Sequence, residues 1–333
     1  NSFLWLQPDV ASGEAVVGEE FVGPLGGERL WLAPEKDLFF PQWPDVNAEY
    51  KPPWEVDPGR WSVASVSASS VTLTASGAVQ SYLAGGKATV RLERRISSTQ
   101  NPARDICRRL GVTYAGFMAV NLIEYVSSTN GQPPIALWSL LQLKHGGTAA
   151  MRLCGPGDEQ PATRLYFGEV PDHHVCLGDR GDKGVPMEYA MKHTAKGKIG
   201  VRCSHVVPPK EADPTALQPC TVCYTYQESS GPWCAVVKAF SVAPGPVERF
   251  IDAPPTDTGD SARAGGDSVQ FCVFHTEVGK QLWKFSEVEH HALSIGPGER
   301  SQDRYAVYAF RGTSLSSVTA AADESMAAWL EGS

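Results

Sequence analysis

The residues of this chain best suited to binding a polar ligand cluster near its start, at Glu28, Arg29, Trp31 and Glu35. Trp31 could stack on the face of a sugar ring while Arg29 and a neighbouring carboxylate bind hydroxyl groups. The same residues also suit a structural role, in which the two preceding glycines form a turn, Trp31 fills the core and Arg29 pairs with Glu35. The sequence leaves both interpretations open.

Two later segments carry polar residues at the spacing of a strand face. Trp138, Gln142 and Lys144 are separated by even numbers of residues, and so are Lys198 and Arg202. Residues two apart in a strand point the same way. If these faces converge, they predict a basic groove that would suit a uronate or a phosphosugar. The alternative is that these charges are only the solvated side of each sheet.

Two carboxylates and two histidines lie close together in a segment near residue 290. Glu287 and Glu289 are two apart and would share a strand face, whereas the adjacent His290 and His291 would lie on opposite faces. A carboxylate beside an imidazole could transfer protons. An exposed edge strand would show the same pattern.

Metal and cofactor motifs are missing from the sequence. Cys220-x-x-Cys223 lacks a second matching pair, its sulfurs would face opposite ways in a strand, and Cys203 and His205 could complete a site only through the tertiary fold. The chain contains no Gly-x-Ser-x-Gly, glycine-rich phosphate loop or dinucleotide fingerprint. We therefore predict no metal and no cofactor.

Composition indicates an ordinary soluble globular protein. The chain has 333 residues, 42% hydrophobic residues and a net charge of −8, with no Lys/Arg-rich run and no apolar run long enough for a membrane span. This disfavours nucleic acid and anionic membrane as partners. The eight cysteines favour reduced thiols in an intracellular compartment, and a leader cleaved from the N-terminus is the alternative.

Alternating apolar and polar residues recur from residue 61 to 310, punctuated by many of the 32 glycines and 25 prolines. A helix is expected at 102–110, ending at Gly111, and another at 315–330, with Val318, Ala322, Met326 and Trp329 on one stripe. The pattern predicts one all-β sandwich domain over 1–333 with a C-terminal helix. Its strands are predicted at 61–66, 71–75, 88–96, 117–126, 135–143, 149–153, 198–203, 221–226, 233–240, 269–276 and 305–311.

Residues 25–35 resemble the GG-x-R-x-W-x-x-PE segment of uncharacterised proteins related to the aldose 1-epimerases (galactose mutarotase-like proteins). Further similar segments follow in the same order along nearly the whole chain, at 91–96, 135–143, 166–168, 196–200 and 287–299. The resemblance implies a β-supersandwich, in which two large antiparallel sheets provide a concave face that holds a sugar.

The resemblance also implies which residues would act. Characterised mutarotases of this kind use a C-terminal glutamate as base and a histidine, in an Asn-His-x-Tyr-Phe-Asn-Leu stretch, as acid. Trp138 and Ser139 stand where that Asn-His would be expected, and the chain has no Asn-His dipeptide. Glu287 or Glu289 could therefore stand in for the catalytic carboxylate and His290 or His291 for the acid, and of these we predict Glu289 and His291.

These observations lead to two functional hypotheses. The first is a carbohydrate-binding protein of the aldose 1-epimerase-like group, with epimerase-type acid/base chemistry on an anionic sugar. The second is a protein without catalysis, either a sugar-binding module or a structural subunit whose Pro-rich loops or C-terminal helix contact protein partners. A blocked cleft would favour a structural subunit.

Overall fold

The structure is a computed structural model that describes most of the chain. The described residues are 4–6, 25–45, 48–153, 163–166, 170, 175–177, 187–192, 197–202, 218–229, 231–242, 249–254, 266–278 and 281–332. Cys203, His205 and part of the 166–168 and 196–200 segments lie outside these residues.

Most of the described chain is β-strand, as its alternating pattern and its Val, Thr and aromatic content predict. In chain order the strands are β1 Glu28–Ala33, β2 Ser62–Val66, β3 Ser70–Ser81, β4 Gly86–Ser98, β5 Thr113–Thr129, β6 Ala136–Lys144, β7 Thr148–Leu153, β8 Thr163–Leu165, β9 Val175–Leu177, β10 Met187–Lys192, β11 Gly197–Arg202, β12 Gln218–Gln227, β13 Trp233–Val242, β14 Asp267–Val278, β15 Gln281–His291 and β16 Arg300–Gly312.

The strands form two large antiparallel sheets. The six-stranded sheet has the order β1-β6-β15-β14-β11-β8, and the ten-stranded sheet has the order β2-β3-β4-β5-β16-β13-β12-β7-β10-β9. The predicted all-β fold of two large antiparallel sheets is thereby confirmed. The observed strands run longer than the predicted ones because hydrogen-bonded pairing continues past the apolar positions, as in Thr113–Thr129 against the predicted 117–126.

Three α-helices and one π-helical turn accompany the sheets in the described part of the chain. They are α1 Glu35–Leu38, the π-helical turn Glu55–Gly59, α2 Arg104–Leu110 and α3 Leu315–Gly332. Gly111 ends α2 with φ 65°, the left-handed conformation that glycine adopts without strain, as predicted. None of the helices in the described residues is long and apolar enough to cross a membrane.

Helix α3 packs its apolar stripe on the outer side of the ten-stranded sheet. Val318 and Ala322 are fully buried there, and the Trp329 indole donates a hydrogen bond to the Phe240 carbonyl at 3.1 Å. Met326 is partly buried against the same cluster. The predicted stripe is therefore confirmed, and the sheet of the same chain covers it.

The main core fills the space between the two sheets. Val201, Phe271 and Val288 of the six-stranded sheet meet side chains such as Val222 and Phe240 of the ten-stranded sheet. Cys220 contributes to this core, whereas Cys223 lies in the cluster under α3, so the two thiols face opposite ways as predicted. The other side of the six-stranded sheet is rich in polar side chains.

Candidate functional site

Strand pairing collects polar side chains on the outer face of the six-stranded sheet, which is the face turned away from the ten-stranded sheet. Trp31 pairs with Trp138 across β1 and β6, and Trp138 pairs with His291 across β6 and β15. Directly paired residues of antiparallel strands point to the same side. This face carries Arg29, Trp31, Trp138, Gln142, Lys198, Gln270, Cys272, Glu287, Glu289 and His291.

A covering segment, residues 34–45 and 48–61, lies over this face. Phe39 packs against Trp31 and Trp138, with ring centroids 4.9 and 5.8 Å away. Asp57 pairs with the Arg29 guanidinium and accepts a hydrogen bond from the Trp31 indole. The covering segment is thus attached to β1 by an ion pair between buried side chains.

Lys198 lies at the centre of the site and is 2% exposed. Its ammonium is 3.1 Å from Glu289, 3.3 Å from Glu35 and 4.5 Å from the centre of the Trp138 ring. Burial alone would lower the pKa of Lys198, but the surrounding carboxylates outweigh burial and hold that pKa well above its usual value. The lysine therefore stays charged between two glutamates.

Both glutamates beside Lys198 titrate far above the usual range. Burial raises the pKa of Glu35 and the pKa of Glu289 each to about 7, and Lys198 limits both shifts. Glu289 Oε2 accepts a hydrogen bond from the Trp138 indole at 2.8 Å, whereas Glu289 Oε1 is buried without a hydrogen-bond partner among the described residues. Glu35 accepts a hydrogen bond from the Tyr50 hydroxyl at 3.1 Å.

Glu287 lies next to this pair and is held by an amide. The Gln142 side-chain amide donates to Glu287 at 2.7 Å, and burial raises the pKa of Glu287. Cys272, Glu287 and Glu289 place possible ligand atoms within 4.8 Å of one another. The Lys198 ammonium beside Glu289 already provides the positive charge that these carboxylates attract, so we assign no metal to this group.

Asp252 joins the covering segment to the far strands of the sheet. Its carboxylate accepts hydrogen bonds from the Glu35 backbone N–H at 2.8 Å and from the Gln270 amide at 2.7 Å. Tyr166 donates to Asp267 at 2.7 Å, and its ring lies 5.0 Å from the Lys198 ammonium. These contacts hold Glu35 over the outer face.

His291 is a buried neutral imidazole. It is 3% exposed and stacks on Trp138 with ring centroids 5.4 Å apart. Neither ring nitrogen has a hydrogen-bond partner among the described residues. Burial lowers the pKa of His291 to about 3, so the imidazolium needed for the predicted acid role is strongly disfavoured near neutral pH.

We expect the His291→Phe substitution to stabilise the protein by about 1–2 kcal/mol, because it keeps the stack on Trp138 and removes buried nitrogens without hydrogen bonds. The unfolded chain binds a proton at this histidine below pH 6.5, whereas the folded protein does so only near pH 3. This histidine thus makes stability rise with pH between about 3 and 6.5, and the variant should show a flatter dependence. Urea unfolding from pH 4 to 7 measures this, and equal slopes for both proteins would refute it.

Asp57→Asn tests the attachment of the covering segment. The change leaves the buried Arg29 guanidinium, whose pKa burial lowers only to about 10, without a charged partner. We expect a loss of about 2–3 kcal/mol of unfolding free energy, less than complete removal of a buried partner costs, because the asparagine side chain would still accept hydrogen bonds. Urea unfolding measures it, with Glu93→Gln at an exposed position of β4 as the control, and a loss no larger than the control's would contradict the prediction.

Three predicted binding residues lie elsewhere. Glu28 occupies the inter-sheet face, where Ser139 donates to it at 2.8 Å, because neighbouring residues of β1 alternate and the outer face takes Arg29 and Trp31 instead. The Lys144 ammonium pairs with Glu228 at 3.0 Å, beside the β12–β13 turn. Arg202 ends β11 at a β-bulge opposite Asp267.

The predicted basic groove is wrong. Arg29 is neutralised by Asp57, and Lys198 is bordered by Glu35 and Glu289. Glu287 adds a further carboxyl group. Carboxyl groups therefore outnumber cations around the outer face, because each cation was buried together with an acidic partner that lies far from it in sequence.

Sequence reasoning missed several residues of the site. Gln270 and Cys272 lie two apart on β14, so the alternation of that strand could have revealed them. Asp57 and Asp252 lie in irregular segments, which carry no periodic signal. The predicted Arg29–Glu35 pair is also wrong, since Arg29 pairs with Asp57 and Glu35 with Lys198.

Lys198, Glu289 and His291 are each no more than 3% exposed, and a narrow crevice of about 10 Å³ reaches Glu35 beside them. This volume is room for about one water molecule. The lining residues are Glu35, Lys36, Phe40, Trp43, Tyr166, Asp252 and Ala253. In this conformation the outer face is therefore closed by the covering segment.

Comparison with known proteins identifies a family and solved structures with distant similarity. One of these structures is that of an Escherichia coli K12 protein, which is described provisionally as an aldose 1-epimerase. The two sequences are 10% identical, the matched region covers 80% of this chain and 73% of the other, and the TM-score is 0.42. The curated proteins contain no significant sequence match. The model of a family of unknown function, DUF6786, matches residues 1–210. Since this match spans more than half of the sequence, the chain belongs to the DUF6786 family.

Proposed function

We propose that this protein is a carbohydrate-binding isomerase that interconverts the anomers of an aldose by acid/base chemistry. The observation that carries the proposal is the pair of buried carboxyl groups, Glu35 and Glu289, on either side of the Lys198 ammonium. Their pKa values of about 7 suit proton transfer in both directions near neutral pH.

We assign the base to Glu289 and the acid to Glu35. The Trp138 indole and the Lys198 ammonium both donate to Glu289 Oε2, which favours its carboxylate form and leaves Oε1 for a substrate hydroxyl. Glu35 has the longer contacts, at 3.1 Å to Tyr50 and 3.3 Å to Lys198, so its carboxylate form is less stabilised. Of the two carboxyl groups, Glu35 is therefore the one we expect to be protonated.

The proposed reaction balances without any further reactant. Glu289 takes the proton of the anomeric hydroxyl, the bond between the anomeric carbon and the ring oxygen breaks, and Glu35 gives its proton to that oxygen. Rotation of the aldehyde and the reverse proton transfers close the ring to the other anomer. The neutral His291 is left to hydrogen-bond a hydroxyl rather than to act as the acid.

The charges of the site favour a neutral sugar over the anionic sugar that the sequence suggested. Glu35, Glu287, Glu289 and Asp252 surround the single ammonium of Lys198. A uronate or phosphosugar would bring a further negative charge to these carboxyl groups. Displacement of Phe39 with the covering segment would leave the Trp31 ring free to pack against the apolar face of a neutral pyranose.

The closed outer face favours the alternative of a non-catalytic structural subunit. Lys198 and Glu289 are no more than 2% exposed, so catalysis requires the covering segment to move away from β1. Catalysis and a structural role differ in whether any sugar reaches Glu289.

The site residues extend from Arg29 to His291 along the chain, and we accordingly propose that residues 1–333 form one domain.

Magnetisation-transfer NMR on glucose and galactose tests the proposal by measuring exchange between the anomers. We expect exchange above the buffer rate with the protein, and a raised melting temperature with these neutral hexoses but not with glucuronate. A sugar at 100 times its dissociation constant adds about 2.7 kcal/mol of stability. No added exchange and no stabilisation by any sugar would refute the proposal and favour the structural subunit.

A further inference from the structure

A second and larger cleft lies on the other side of β1. The inner side chains of β3, β4 and β5 continue beyond Glu28, the first residue of β1, because the ten-stranded sheet is wider than the six-stranded sheet. The resulting cleft has a volume of about 320 Å³. It is lined by Glu28, Trp61, Leu73, Arg94, Ile96 and Phe117, of which only Trp61, the last residue of the covering segment, is shared with the region of the outer face.

The walls and the end of this cleft differ in polarity. Trp61, Leu73, Ile96 and Phe117 form apolar walls, and all four are only partly buried. Glu28 and Arg94 form an ion pair at the polar end, with side chains 4% and 9% exposed. A mainly apolar pocket with a few convergent polar groups is the usual form of a small-molecule site.

The polar end is almost completely hydrogen-bonded. Glu28 accepts from Ser139 at 2.8 Å and from the Tyr305 hydroxyl, and Arg94 Nη2 donates to Tyr305 at 3.1 Å. The exceptions are Arg94 Nε, a buried donor, and Glu28 Oε2, a buried acceptor that meets Arg94 only as an ion pair; neither has a hydrogen-bond partner among the described residues. The Glu28–Arg94 ion pair does not provide an acceptor for the Arg94 Nε–H group. Burying this group without an acceptor destabilises the folded protein.

The size and chemistry of the cleft define its ligand. An apolar cavity of about 150 Å³ accommodates benzene, so about 320 Å³ corresponds to two fused rings. A hydroxyl group on such a ring could accept from Arg94 Nε and donate to the Glu28 carboxylate. An anion is disfavoured, because Glu28 already neutralises the Arg94 charge.

We propose that this cleft binds a neutral, mainly apolar ring compound carrying one hydroxyl group, which bonds to Arg94 and Glu28. This site is independent of the proposed isomerase activity, since Leu73 pairs with Val63 and Arg94 in the ten-stranded sheet and neither is assigned to that activity. Variants in the cleft are therefore expected to leave anomer exchange unchanged.

Calorimetric titration with 2-naphthol tests the proposal. The Leu73→Trp variant should abolish binding by filling the cleft, whereas Val66→Trp, at a 72% exposed position of β2, should bind as the unchanged protein does. Arg94→Lys keeps the positive charge but removes the Nε donor, so we expect about tenfold weaker binding or more. Circular dichroism melting confirms that each variant is folded.

Two related compounds test the chemical class. 2-Methoxynaphthalene cannot donate to Glu28 and should bind about tenfold to a hundredfold more weakly than 2-naphthol. 2-Naphthoate should also bind more weakly because of its charge. The proposal is overturned if 2-naphthol does not bind the unchanged protein, if Leu73→Trp binds it equally well, or if the three compounds bind alike.

Discussion

Glu289→Gln is expected to lower protein-catalysed anomer exchange by about 10²- to 10⁴-fold, the usual contribution of a positioned acid or base. Glutamine keeps the shape of the side chain and still accepts from the Trp138 indole, but it cannot take the proton of the anomeric hydroxyl. The loss should appear in the exchange rate at saturating sugar, since the binding surfaces are unchanged.

The stability of the same variant separates a catalytic from a structural role. We expect a melting temperature close to that of the unchanged protein, because a neutral amide avoids the burial cost that raises the pKa of Glu289 to about 7, and because Lys198 keeps Glu35 as its partner. Glu124→Gln, in an exposed ion-pair cluster on β5, is the matched control for both measurements. Unchanged turnover in Glu289→Gln would exclude the catalytic role of this residue.

Lys198→Met is expected to destabilise the protein by about 3–5 kcal/mol at pH 8, because it leaves buried carboxylates without their cation. Methionine replaces the length of the lysine stem, so the loss of charge dominates over the change in packing. Urea unfolding at pH 5 and pH 8 measures the difference in unfolding free energy.

The pH dependence of this loss follows from the two glutamates. The pKa values of Glu35 and Glu289 are already raised to about 7, and without Lys198 they should rise further. Between the unfolded pKa near 4.5 and the folded value, the folded protein binds more protons than the unfolded chain, so stability falls as pH rises. The Lys198→Met variant should therefore lose more stability from pH 5 to pH 8 than the unchanged protein does.

A double variant checks the cause of this loss. Lys198→Met combined with Glu289→Gln removes one of the orphaned charges, and we expect it to be more stable at pH 8 than Lys198→Met alone. If the double variant is no more stable, or if the loss is the same at both pH values, packing rather than charge explains the effect of Lys198.

The regular parts of the fold were predictable because their causes are local. Alternating residues place strands such as Gly86–Ser98, and a left-handed glycine ends α2 at Gly111. Helix α3 was equally visible, since the stripe from Val318 to Trp329 has helical spacing and is buried as a unit. β1 was recognised as a functional motif but not as a strand, because six residues between a turn and a proline show little periodicity.

The sequence by itself determined which residues share a face, and only the tertiary structure decided what lies opposite them. Lys198 and Glu289 each had a predicted orientation along a strand, but their contact depends on β14, the strand that separates β11 from β15 in the sheet. Asp57 and Asp252 reach the outer face from irregular segments whose path is set by packing. The charge and the closure of the site follow from these long-range contacts, because burial selects oppositely charged partners by proximity in space rather than along the chain.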